Sequence, residues 1–165
     1  ALDKKSYDNH YKYLSLFLRD ISKFFNKKLI VCIHPSYNLN EHQKMLRPFK
    51  VVKYNTRELI KKAYLVTFFD STVILDAVVQ EKRLIGIISE FMSYNDILRQ
   101  KAWSKNIGCA NQIINNKYKL NKNKYLTLKR AKKNKYYNYS KKYLKREKEP
   151  GITKIIKYLK RNYIN

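Results

Sequence analysis

Tyr11, Leu14, Phe17, Leu18, Ile21, Phe24 and Phe25 recur at three- and four-residue spacing between about Asp8 and Lys27, with Lys12, Arg19, Asp20 and Lys23 between them. This period predicts an amphipathic helix. Leu29-Ile30-Val31-Cys32-Ile33 follows, a short unbroken apolar run rich in branched residues and stopped by His34-Pro35. Runs of this kind form strands covered on both faces, as in a parallel sheet. Residues 36–48 are polar and contain Pro48, so they read as a loop. A strand is predicted over Val51-Val52-Lys53-Tyr54, then a helix over Thr56–Ala63, with Asn55 and Glu58 at capping-box spacing.

The alternation continues. Tyr64–Phe69 is a buried strand, Asp70-Ser71-Thr72 a polar break and Val73–Gln80 a short helix closed by Lys82-Arg83. Leu84–Ile88 is the next strand, ending at Ser89-Glu90, and a helix begins at Ser93 or Asn95 and runs to Ser104. The pattern leaves Asn106–Asn121 unassigned and predicts helices over Lys122–Lys148 and Ile152–Tyr163, separated by Pro150-Gly151. Alternating helices and apolar strands give an α/β fold: a Rossmann-like, open, mostly parallel sheet with helices on both faces, plus C-terminal helices.

Charge changes the picture along the chain. Of 165 residues, 37 are Lys or Arg and 12 Asp or Glu, a net charge of +25. Residues 112–165 hold 18 basic and two acidic residues, Glu147 and Glu149; residues 1–111 hold 19 and 10. The chain therefore divides into a Rossmann-like unit, 1–111, and a basic helical segment, 112–165, expected to pack on it. Lys outnumbers Arg 29 to 8, and lysine suits bidentate phosphate recognition less well than arginine. The basicity thus argues more weakly for a nucleic-acid reader than its size suggests. No apolar run approaches the roughly 20 residues of a spanning helix, and no charged-then-apolar leader opens the sequence. The expected location is the cytoplasm, with the inner face of the cell membrane as a peripheral site. A first residue other than Met reads as trimming. Cys32 and Cys109 are expected to be free thiols.

In an open parallel sheet, ligands bind beyond the carboxyl ends of the strands. Three such ends carry polar residues here: His34, then Asp70-Ser71-Thr72, then Ser89-Glu90. Unpaired N–H groups and the helix dipole near Ser71 and Thr72 favour a phosphate, and His34 could add a hydrogen bond or a charge. The same residues also serve as an ordinary N-cap and a turn histidine, and Glu90 as a cap for the following helix. His10 and His42 are expected to be exposed. No His, Cys or carboxylate spacing suggests a metal. The absence of a Gly-x-Gly-x-x-Gly or Walker loop argues against dinucleotide oxidoreductases and P-loop NTPases.

Ile33-His34-Pro35-Ser36, Arg57–Ala63 and Leu65–Ala77, in that order, resemble the C-terminal half of GT-B-type glycosyltransferases that build bacterial surface polysaccharides, the capsule, polysialic-acid, Kdo and teichoic-acid transferases. The resemblance puts His34 and Pro35 on a phosphate-binding "HP" motif, Ser71 and Thr72 on a "Ser-Ser/Thr" motif, and Asp76 on the acidic position that follows. It implies a nucleotide-sugar donor as substrate, bound without a metal or other cofactor, with His34 and the Ser71-Thr72 helix end stabilising the leaving phosphate. Asp70 and Glu90 belong to the same expected site. It also implies a partner domain, N-terminal and absent from this sequence, that carries the acceptor, so this chain would be the donor half of an enzyme. Departures are Glu81-Lys82-Arg83 in place of "Gly-Lys-Pro", which implies a different turn before Leu84, and Ser36 in place of a basic residue after "HP". The lysine- and tyrosine-rich tail suits either an anionic membrane carrying lipid-linked acceptors or packing against the absent domain. Two alternatives remain: a basic nucleic-acid-binding module using 112–165, and a non-catalytic interaction domain of the same fold.

Overall fold

A computed structural model describes residues 4–69, 71, 74–120, 122–126 and 128. Its described elements are α1 (Lys4–Phe25), β1 (Ile30–Ile33), α2 (Leu39–Met45), β2 (Lys50–Lys53), α3 (Thr56–Lys62), β3 (Leu65–Phe68), α4 (Ile74–Val79), β4 (Arg83–Ser89), α5 (Tyr94–Ile107), β5 (Ala110–Ile114) and α6 (Lys122–Leu126). All pairing among them is parallel. β1 pairs with β2, from Ile30 opposite Lys50 to Ile33 opposite Lys53. β4 lies between β3 and β5 in a second, three-stranded ladder. The fold is α/β and Rossmann-like, with helices on both faces of its parallel strands.

The side chains of β4 explain how the layers are assembled. Ile85 and Ile87 enter one core, with Ile33, Val51 and Ile114 from other strands and Leu14, Phe17, Leu18 and Ile21 from α1. Leu84 enters the opposite core, with Ile60 of α3, Ile74, Ala77 and Val78 of α4 and Ile107 of α5. Successive strand residues point to opposite faces, so a strand between two helical layers must be apolar throughout; every residue from Leu84 to Ser89 is buried. The first core draws on β1, β2, β4 and β5, and so joins both ladders.

Residues 36–48 are not a continuous loop. Asn38 starts α2, its side-chain oxygen accepting from the N–H groups of Asn40 at 3.0 Å and Glu41 at 3.3 Å. β5 occupies part of the stretch left unassigned by the pattern. The expected Asn55–Glu58 capping box does not form. Tyr54 and Asn55 are both left-handed, φ 63° and 56°, and Asn55 makes no side-chain cap bond; an N-cap side chain reaches the N2 or N3 N–H from an extended backbone instead. Ser93 caps α5 by accepting from the Asp96 N–H at 3.2 Å, a role Glu90 does not take. Glu81 has φ 53°, the region glycine favours. The Lys82 N–H bonds back to the Ala77 carbonyl at 2.9 Å, so α4 ends in a left-handed turn without glycine. Both cysteines are free thiols. The predicted helices beyond Leu128 lie outside the described residues.

Candidate functional site

Ring contacts tie the carboxyl ends of the strands together. His34, just after β1, meets Tyr37 edge-on at 5.9 Å between ring centroids. Tyr37 stacks on His42 of α2 at 5.2 Å with planes 7° apart. His42 meets Tyr11 of α1 at 5.7 Å, and Tyr11 meets His10 at 5.3 Å. His10 then reaches Phe69, just after β3, at 5.6 Å and Phe91, just after β4, at 6.1 Å. The three histidines of the chain thus lie on one continuous rim over the ends of β1, β3 and β4.

Hydrogen bonds fix the tautomers along this rim. The Ser36 N–H donates to His34 Nδ1 at 3.2 Å, and Ser36 Oγ lies 2.7 Å from the same atom. Nδ1 is then an acceptor, and the proton of the neutral ring sits on Nε2. His34 is exposed, so it is an Nε2–H donor aimed by its own loop. His42 is the reverse: its Nδ1 donates to the Asn38 carbonyl at 2.8 Å. Lys53 Nζ donates to the Pro35 carbonyl at 2.9 Å, and the Tyr37 N–H to the His34 carbonyl at 3.0 Å. The loop after β1 is therefore held at both shoulders.

His42 is 8% exposed and His10 is half-buried, contrary to the exposure expected of both. The reason is α1, whose amino-terminal half lies across the strand ends. His10 Nδ1 is 2.9 Å from Ser89 Oγ, and burial pushes its pKa below the ordinary histidine value. Tyr7 donates to Glu41 Oε1 at 3.0 Å.

Of the expected site residues, His34 and Pro35 stand on the rim. Ser71 lies three positions before Ile74, the first residue of α4, and its carbonyl accepts the Ile74 N–H at 3.2 Å. Asp70 and Thr72 lie outside the described residues. Asp76, in the first turn of α4, pairs through Oδ1 with Arg57 Nε of α3 at 3.3 Å. Glu90 is exposed in the turn after β4. Sequence reasoning missed Ser36, Tyr37, His42, Tyr11 and His10. The signal for the first three was Asn38 followed by Glu41, a helix start inside the supposed loop. Among the described residues no group of three or more His, Cys, Asp or Glu side chains could hold a metal ion, and no helix is long and apolar enough to cross a membrane. The chain matches no family model, no curated protein and no solved structure.

Proposed function

We propose that this chain is the donor-binding half of a GT-B-type glycosyltransferase acting on a nucleotide-activated sugar. The observation that carries the reading is His34, an exposed Nε2–H donor fixed at the carboxyl end of a parallel strand, on a rim shared with the ends of β3 and β4. A donor so placed hydrogen-bonds a phosphate oxygen. Preorganised donors at a leaving phosphate stabilise the charge that develops as the glycosidic bond breaks. In this reading the acceptor and the general base come from a partner domain. The order of His34-Pro35, Ser71 and Asp76 along the chain supports it, as does the position of such sites in open parallel sheets.

Calorimetric titration of the full chain with CMP-, CDP-, UDP- and GDP-linked sugars tests this. One nucleotide class should bind, and His34→Ala should weaken it roughly tenfold, the scale of one hydrogen bond to a charged group; Ser71→Ala should also weaken it. Absence of binding to all four, or equal binding by wild type and both variants, ends the reading.

A second observation favours a peripheral membrane position. Exposed Lys23, Lys27, Lys28, Lys50, Lys61 and Lys62 all sit at the amino ends of strands or the carboxyl ends of helices, the edge opposite the histidine rim. We infer that this edge faces anionic lipid, leaving the rim open to the cytoplasm.

A further inference from the structure

Tyr37 has an unusual combination of properties for a loop residue. It is 55% exposed, yet its position is fixed from three directions. Its N–H closes a turn onto the His34 carbonyl at 3.0 Å. Its successor, Asn38, is the N-cap of α2. One face of its ring lies flat on His42, which is itself buried and bonded to the Asn38 carbonyl. With that face covered, an exposure above one half requires the other face to be open. An ordered aromatic face backed by a buried ring is a stacking surface with little side-chain entropy left to lose on binding.

The neighbour of that face determines what it suits. The His34 ring centroid is 5.9 Å from that of Tyr37, and His34 offers the Nε2–H assigned above. A planar π-system and a hydrogen-bond donor for an anion therefore stand side by side in one four-residue turn, 34–37. A ligand that uses both carries a flat heteroaromatic ring and a phosphate on the same short framework, which is the chemistry of a nucleotide.

We propose that Tyr37 is the platform on which the nucleobase of the donor stacks, with His34 on the phosphate. This rests on the donor-binding reading and goes beyond it by assigning the base. Stacking of this kind accepts any base, because every base has a π-face. It contributes affinity for nucleotides as a class, and selection among bases falls to other groups.

The experiment compares ligands with and without a base. The chain as wild type and as Tyr37→Ala, Tyr37→Trp and His34→Ala is titrated with UMP, CMP, GMP and ribose 5-phosphate. Wild type should bind at least one monophosphate about tenfold or more tighter than ribose 5-phosphate. Tyr37→Ala should close that gap while leaving ribose 5-phosphate affinity unchanged. Tyr37→Trp should keep the gap and add indole fluorescence that the nucleotide quenches. A gap that survives Tyr37→Ala, with all ligands weakened by His34→Ala, refutes the platform and leaves the phosphate site standing. No binding of any monophosphate refutes both. Far-UV circular dichroism checks folding, and an exposed residue outside both cores should leave it unchanged.

Discussion

His10 Nδ1 and Ser89 Oγ lie 2.9 Å apart, joining the amino-terminal half of α1 to the last residue of β4. Ser89 Oγ also accepts the Phe91 N–H at 3.3 Å and keeps its own hydrogen free to donate to an unprotonated His10 Nδ1. Burial acts in the same direction and lowers the His10 pKa. An exposed histidine in the unfolded chain titrates near pH 6.5. Below that value the unfolded chain takes up a proton that the folded protein resists, so His10 favours folding fully above about pH 6.5 and progressively less as the pH falls toward its lowered native pKa.

The expected outcome is a melting temperature that falls between pH 7 and pH 5 more steeply in wild type than in His10→Gln, which keeps a polar group at Ser89 and cannot titrate. The carboxylates are common to both proteins, so the difference between the two slopes isolates His10. Parallel slopes would show that protonation does not loosen α1 from the strand ends.

Gly86, in the middle of β4, is constrained by its neighbours. A Cβ there would overlap Gln100 Nε2 of α5 and Asn111 Oδ1 of β5. Gln100 is completely buried, and Asn111 also accepts from Ser104 Oγ, so neither amide can swing into solvent. Gly86→Ala should lower the unfolding free energy in urea by about 1–3 kcal/mol, the usual cost of overpacking. Gln100→Ala opens room for the added methyl. The double variant should therefore be more stable than the sum of the two single losses allows, a coupling expected only between residues in contact. Strict additivity would mean that the helix layer shifts to accommodate the methyl.

The legibility of this chain follows the same physics. β4 was readable because a strand covered on both faces must be apolar throughout, and α1 because Leu14, Phe17, Leu18 and Ile21 share one stripe. α2 was hidden because only His42 of its seven residues is buried, leaving no apolar period to detect; Asn38 and Glu41 were its only mark. β5 was hidden for a related reason: Asn111 and Gln112 point into polar contacts with α5 and with Tyr125, so the strand does not read as an apolar run. Of the site, His34 was legible from its place after a strand. The other two histidines were not, because the burial of His10 depends on Phe69, Ser89 and Phe91, all more than 50 residues away in sequence, and that of His42 on Tyr11 of α1 and the stacked Tyr37.

The amino edge of the strands sets up the last test. Tyr64, just before β3, has the Lys27 Nζ 5.6 Å and the Arg83 guanidinium carbon 4.5 Å from its ring centroid, and Lys82 Nζ donates to the Lys61 carbonyl at 2.7 Å. These contacts bring the starts of β1, β3 and β4 to one edge. Cations there also complement the negative ends of α1 and α3, which alone would account for their position without any partner. The two explanations differ in what charge reversal does. If the edge faces anionic lipid, each lysine contributes roughly 1 kcal/mol near the surface, and Lys27→Glu combined with Lys61→Glu and Lys62→Glu should release most of the full chain from phosphatidylglycerol vesicles in flotation, with no effect on phosphatidylcholine. Raising the salt should release wild type in the same way, because the attraction is screened. Retention of the triple variant on the anionic vesicles, alongside a lowered melting temperature, would assign these lysines to the helix ends and leave lipid contact to residues 112–165.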